Sequence, residues 1–156
     1  MVKISPSGIL AIQMSSGGLR MPNVAGGLRS VMNHYEEYMH TSNWQFGTQT
    51  HTGVQLSVIK VGRIVQCTIH EYLTVGDGQF GNAGWIMNTA LPTRFRPDTD
   101  TTYYVKGMVS SAMEKVSLKV YVSGSLNAYA TDNDTAFVGT GAHRVYHFSI
   151  SWIAAA

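Results

Sequence analysis

Apolar and polar residues alternate with a period of two along most of the chain after residue 44. The alternation is clear in residues 54–58 and again in residues 65–69, and residues 60–63 between them have the composition of a turn. Successive side chains of a strand point to opposite faces of a sheet, so a period of two indicates strands. These two segments therefore predict a β-hairpin.

Four further segments have a strand-like pattern: residues 85–88, 103–109, 116–122 and 143–153. The last of them would place Tyr146, Phe148, Ile150 and Trp152 on one face. Loops rich in Gly, Asp and Asn separate these segments, including a long loop from residue 74 to residue 85, and no helical period intervenes. Short strands joined in this way predict a mainly β fold, a compact antiparallel β-barrel or sandwich head.

The segment from residue 24 to residue 40 has a different period. Leu28, Val31, Tyr35 and Tyr38 are spaced three, four and three residues apart, as in a short heptad seam. This spacing predicts one helix in an N-terminal arm. An isolated helix of this length is marginal in water, so it should pack either on its own chain or on copies of itself around a symmetry axis.

Composition narrows the possible functions. The chain of 156 residues suits one core with an arm, and its charged fraction of 13% is about half of the usual value of about 25%. The net charge of +2 is spread without a run of like charges, so we expect no nucleic-acid partner. No apolar stretch is long enough to predict membrane insertion or an export signal, so the protein should be made in a cytoplasm and could act outside a cell as part of a particle. The single cysteine, Cys67, alternates with polar residues and should be a small buried side chain.

The sequence has no motif of a known catalytic or cofactor site. His143 and His147 would lie about 13 Å apart on a strand, too far apart to share an ion. The cluster Asp132, Asn133 and Asp134 could hold calcium or a sugar hydroxyl, although Asp and Asn also simply favour loops. We expect no enzyme activity, no cofactor and no metal.

Residues 91–97, of sequence LPTRFRP, form an unusual connector. Pro92 and Pro97 each fix φ, lack a backbone donor and favour extended geometry in the preceding residue. The segment should therefore be a stiff crossing between strands, with Phe95 as its buried anchor.

That connector, the run of residues 53–63 and the Gly-punctuated strands up to residue 141 resemble the head domain of receptor-binding proteins (lower baseplate proteins) of lactococcal-type siphophages. The resemblance implies a β-barrel head that forms a homotrimer and binds saccharides of the host cell envelope, at the tip of the virion tail. It also implies that residues 1–43 dock on the baseplate or tail proteins and trimerise, with Leu28, Val31, Tyr35 and Tyr38 at the trimer interface. Residues 44–156 would then be the head.

A saccharide site needs a flat apolar ring on which a sugar can stack and planar polar groups that reach its hydroxyls. Eight residues have suitable chemistry: Asn82, Trp85, Asn88, Asp132, Asn133, Asp134, His143 and Arg144. A tryptophan such as Trp85 is more often part of a core, and this alternative stays open. A structural virion protein that binds no sugar is the main alternative function; a lectin module and, least favoured, a hydrolase are others.

Overall fold

The computed structural model describes residues 13–15, 18–20, 35–76, 84–130 and 135–155. In this part of the chain β1 (Gln13–Ser15) pairs with β2 (Gly18–Arg20), and every other strand belongs to one ten-stranded sheet. All strand pairs are antiparallel. The predicted mainly β, antiparallel fold class is confirmed, and its form is a single curled sheet.

The strands of this sheet are β3 (Tyr35–Phe46), β4 (Gln49–Val61), β5 (Ile64–Ile69), β6 (Leu73–Val75), β7 (Trp85–Met87), β8 (Thr101–Val109), β9 (Ala112–Val120), β10 (Leu126–Tyr129), β11 (His143–Val145) and β12 (Phe148–Ile153). Six strands of this sheet have three to six residues, whereas β8 and β9 have nine each and β3 and β4 have twelve and thirteen. Their order across the sheet is β12-β5-β4-β3-β7-β10-β9-β8-β11-β6.

The inner face of the curled sheet holds the hydrophobic core. On β4 and β5 the alternating residues Leu56, Val58, Val65 and Cys67 are buried, while their neighbours point outward. The predicted hairpin is confirmed, with Gly62 in the turn at a φ of +61°. Cys67 is buried as expected, and this burial raises the pKa of its thiol to about 12.

The connector between β7 and β8 contains a one-turn 3-10 helix, Thr93–Phe95. Phe95 is fully buried, and its ring lies 5.4 Å from the ring of Tyr38 in a stacked arrangement. Its carbonyl oxygen accepts a hydrogen bond of 2.7 Å from the indole nitrogen of Trp152. The prediction of a crossing between strands with Phe95 as its buried anchor is therefore confirmed.

The helix predicted for residues 24–40 is wrong where the structure describes it, because β3 begins at Tyr35. Tyr35 and Tyr38 are an odd number of residues apart, so they lie on opposite faces of this strand and share no seam. Pairing with β4 from Tyr35 to Phe46 outweighs a weak helical spacing. The predicted boundary between residues 43 and 44 also falls inside β3, so residues 35–43 belong to the main sheet. Leu28 and Val31 lie outside the described residues.

The last predicted strand, residues 143–153, is divided in two. The chain leaves β11 at Val145 and starts β12 at Phe148, because β11 pairs with β8 and β6 whereas β12 pairs with β5. Phe148, Ile150 and Trp152 are buried on one face as predicted. Tyr146 is not part of that row, since it lies in the crossing between the two strands.

Candidate functional site

The two strands β8 and β12 approach each other without forming a ladder. β12 pairs with β5 along one edge, and β8 pairs with β11 only at Gly107 and Met108. The remaining gap is bridged by the hydroxyl of Tyr103, which donates to the carbonyl oxygen of Ser151 at 2.5 Å. Near the end of β12 the amide of Asp98 donates to the carbonyl oxygen of Ile153 at 3.2 Å. The sheet thus curls until two of its backbone edges face each other.

A groove of about 380 Å³ lies along this gap. β8 contributes Tyr103, Tyr104 and Val105, and the opposite wall comes from β12 and β5, with Gln66, Ser149, Ile150 and Ser151. In an antiparallel ladder the N–H and C=O groups of alternate residues point to the same edge. Because the carbonyl of Ser151 points into the gap, Ser149 presents its backbone groups there as well. The groove therefore offers backbone and side-chain hydrogen-bonding groups.

The β12 wall of this groove is an ordered network of hydroxyl and amide groups. The amide nitrogen of Gln66 donates to the hydroxyl oxygen of Ser149 at 3.0 Å, and the hydroxyl of Thr68 lies 2.9 Å from the same oxygen. An amide group and a hydroxyl group each have more donor and acceptor positions than these bonds use. This wall can therefore accept from and donate to a polyhydroxylated ligand.

The β8 wall is aromatic. Tyr104 lies on the outer face and its side chain is 58% exposed. Tyr103 is half-buried beneath the gap, where desolvation raises the pKa of its phenol. A flat exposed ring opposite planar polar groups is the arrangement that a sugar ring needs for stacking and hydrogen bonding.

The four described residues among those that the sequence suggested for a saccharide site do not form one exposed surface. Trp85 is 1% exposed and packs on Phe46 with ring centroids 5.1 Å apart, so it cannot stack on a ligand and the core interpretation is correct. Asn88 is exposed beside β7, and Arg144 lies half-exposed on β11, away from it. Asn82, Asp132, Asn133 and Asp134 lie outside the described residues.

His143 is also a core residue, with no exposed surface. Its ring stacks on Phe46 with centroids 5.6 Å apart. The amide of Ser110 donates to its Nδ1 at 3.2 Å, so Nδ1 is an acceptor and the ring proton lies on Nε2, 3.4 Å from the carbonyl oxygen of Gly139. This histidine ties the β8–β9 turn to the segment before β11, and its ring presents no exposed surface to a ligand.

The groove residues were missed because they come from distant parts of the chain. Tyr104 and Ser149 lie on strands whose neighbourhood depends on how the whole sheet curls. The sequence did contain two local indications of this groove, namely adjacent tyrosines on one strand and serines at the outward positions of another.

Within the described residues, no group of three or more His, Cys, Asp or Glu side chains is arranged to hold a metal ion. A search of the same residues finds no helix with the length and apolar character needed to cross a membrane.

The class that the fold defines is a mainly β protein built on one curled antiparallel sheet. No family model matches the chain, and no curated protein matches it. Among solved structures it is similar to the attachment protein sigma1 of a reovirus, determined in complex with alpha-2,3-sialyllactose. That similarity covers 99% of this chain and 98% of the other, with a TM-score of 0.43 and 10% sequence identity. A likeness this distant shows no family, and the resemblance to siphophage receptor-binding proteins stays a hypothesis.

Proposed function

We propose that this chain is the receptor-binding head of a phage tail-tip protein, and that it binds saccharides of the host cell envelope for adsorption. The observation that carries the proposal is the groove between β8 and β12. The exposed Tyr104 lines it together with Gln66, Ser149 and Ser151, which supply an amide group and two hydroxyl groups. This combination suits a sugar ring with its hydroxyl groups, and it lies on a rigid sheet.

The proposed role is binding without catalysis. The residues that line the groove are tyrosines, serines, a glutamine and aliphatic side chains. Cleavage of a glycosidic bond ordinarily uses a pair of carboxyl groups on either side of the bond, and general acid–base chemistry uses groups such as His, Asp and Glu. Among the described residues, the groove lining contains hydrogen-bonding groups of the kind that recognise a sugar and no His, Asp or Glu.

Trimerisation through residues before β3 is part of the proposal. The low charged fraction of the chain, 13%, is consistent with surface covered by other copies or by baseplate proteins. The ring of Tyr38 packs on Phe95 of its own chain and is half-buried there, so it would contribute only its remaining exposed part to such an interface. Any interface would involve the arm residues Leu28 and Val31 and exposed positions such as Tyr35.

The test is binding of the purified protein to a panel of bacterial envelope oligosaccharides, with Tyr104→Ala as the variant. Loss of an aromatic anchor in a binding site costs about 1–2 kcal/mol, so affinity should fall by roughly 5- to 30-fold. Met39→Ala is the control, because Met39 is 54% exposed on β3, which two strands separate from β12.

Equal affinity of Tyr104→Ala and the parent would exclude the groove as the saccharide site. If no oligosaccharide bound the parent, the alternative would be favoured, namely a structural virion protein of the baseplate or a decoration protein. Release of reducing ends from an envelope polysaccharide would contradict the non-catalytic role.

A further inference from the structure

Among the described residues, the outer face of the sheet next to the groove carries positive charge without a matching carboxylate, and the exposed Glu114 lies on the opposite face of β9. Cross-strand partners in an antiparallel sheet share a face. The register pairs Lys106 with Lys115 and Arg144 with Met108, and it places these side chains on the same face as Tyr104. At the outward positions of β6, β8, β9 and β11 there is no Asp or Glu. We call the surface formed by Lys106, Lys115 and Arg144 the basic face.

Two of these cations lie directly opposite each other. Lys106 and Lys115 are Cα partners across β8 and β9, and like charges in such positions destabilise a sheet. In the described part of the chain the ion pairs are Arg63–Asp98 and Arg94–Glu36, so neither involves the basic face. An anion bound over this face would relieve the repulsion.

Aromatic rings, and not carboxylates, hold two of the cations in place. The Lys106 ammonium lies 5.1 Å from the centre of the Tyr146 ring, and the Arg144 guanidinium lies 5.7 Å from that ring and 5.8 Å from the Tyr72 ring. The two tyrosine rings pack edge to face, with centroids 5.3 Å apart. A cation stacked on a ring is positioned while its N–H donors remain available to an anion.

The exposed His147 extends this cluster. Its ring lies 5.9 Å from the Tyr72 ring, and the guanidinium of Arg144 donates a long hydrogen bond of 3.4 Å to the Thr74 hydroxyl. The cluster thus has two positioned cations with an imidazole ring beside them. An arginine fork fits phosphate and carboxylate oxygens equally well.

The basic face continues directly from the groove. Tyr104 and Lys106 are two positions apart on the outer face of β8, which corresponds to about 7 Å along a strand. That distance is close to the length of one sugar ring, so a ligand with a sugar on Tyr104 would bring a substituent or the next residue to Lys106 and Arg144.

We infer that the basic face is an anion subsite of the groove, and that the saccharide taken by this protein is acidic, bearing a phosphate or carboxylate group. This inference rests on the proposed saccharide-binding function and specifies its ligand class. Both kinds of ligand carry an anionic group on a polyhydroxylated ring, and this group is tetrahedral in a phosphate and planar in a carboxylate.

The experiment is an NMR titration of the ¹⁵N-labelled protein with four probes: glucose, glucose 6-phosphate, glucuronate and inorganic phosphate. The acidic sugars should shift signals of both the groove and the basic face and should bind more tightly than glucose. Arg144→Gln should weaken the acidic sugars on the order of tenfold, as expected for loss of a hydrogen bond to a charged group. The difference should shrink at high salt.

Lys60→Gln is the matched control, because it removes one positive charge on β4, where Lys60 donates to the carbonyl oxygen of Arg94. It should leave all four affinities unchanged. A second variant, Lys106→Gln, should reproduce the selective loss if the effect belongs to the basic face and not to Arg144 packing.

The two proposals fail in different ways. Groove shifts with all three sugars at equal affinity would overturn the anion subsite and leave saccharide binding intact. Shifts of the basic face with inorganic phosphate alone, and none in the groove with any sugar, would remove the saccharide function and with it this inference. Tighter binding of a short single-stranded DNA than of either acidic sugar would also overturn it.

Discussion

The two ends of the ten-stranded sheet differ in what their residues do. At one end lie β3 and β4, which have twelve and thirteen residues and pair with each other, and β5 and β12, which pair along their full length. At the other end β6 and β11 have three residues each, and the outer face carries tyrosines and cations. The first end is the long end, and the second, whose two outermost strands are short, is the short end. The short end displays the exposed cations, although its β8 and β9 also form a nine-residue ladder with buried side chains. The groove lies where the curl brings β12 of the first end to β8 of the second.

The largest expected effect is loss of stability at the long end. Leu56→Ala on β4 removes a fully buried side chain and should lower the free energy of unfolding by about 2–5 kcal/mol, with little change in the ligand selectivity of any protein that remains folded. Urea denaturation measures this change.

The neighbouring outward residue is the control for that comparison. Gln55→Ala should change the free energy of unfolding by no more than about 0.5 kcal/mol. If the two substitutions changed the free energy of unfolding equally, the inward and outward faces of β4 would not differ as the structure shows.

A substitution at Gly107, where β8 pairs with β11, should lower both the stability of the fold and the affinity for acidic sugars. A Cβ added at Gly107 would lie 2.4 Å from a methyl carbon of Val116 and 3.0 Å from the carbonyl oxygen of Arg144. Gly107→Ala should therefore cost about 1–3 kcal/mol and displace β11. Denaturation together with the glucose 6-phosphate titration would detect both changes.

The control for Gly107→Ala is Gly76→Ala, since no atom lies within 4 Å of a Cβ added there. If Gly107→Ala lowered stability and left the acidic-sugar affinity intact, the geometry of β11 would not matter to the basic face.

The buried histidine gives a smaller expected effect at the short end. His143→Phe keeps a ring between Phe46 and Phe137 but removes the acceptor of the Ser110 amide. The cost should be about 1–3 kcal/mol for one unpaired buried donor, measured by thermal or urea unfolding. Saccharide affinity should not change, and a selective loss of affinity without loss of stability would restore His143 as a candidate ligand-binding residue.

Cys67 on β5 can be used to test how well the core is shielded from solvent. Burial raises the Cys67 pKa from 9.0 to about 12, so the folded state holds the thiol proton more tightly than the unfolded chain. The thiol should be inert to a disulfide reagent at pH 8 until the protein unfolds. The associated stabilisation is complete below pH 9 and is lost as pH rises towards 12. Rapid labelling of the native protein at pH 8 would contradict this.

Local patterns predicted the strands well and the site poorly, for a physical reason. The faces of β4 and β5 follow from side-chain alternation, which is a property of neighbouring residues. The same rule could have placed Trp85 and Met87 inward with Ile86 outward, and His143 inward with Val145. The asparagines near Trp85 instead favoured the interpretation of Trp85 as a sugar-binding residue.

The helical spacing around Tyr35 failed because a seam of four residues is weaker than a ladder of a dozen. The groove itself could not be predicted, since Tyr104 and Ser149 meet only through the curl of the sheet. Arg144 was selected from sequence, but its role beside Tyr146 and Lys106 depends on the register of β11 with β8.

The most direct test of the account is chemical-shift mapping of the protein with a panel of bacterial envelope oligosaccharides. The account predicts that at least one oligosaccharide shifts the amide signals of Tyr104 and Ser149, on the two walls of the groove, and that Tyr104→Ala abolishes or greatly weakens these shifts. Binding that left both amides unperturbed, or no binding by any oligosaccharide, would contradict it.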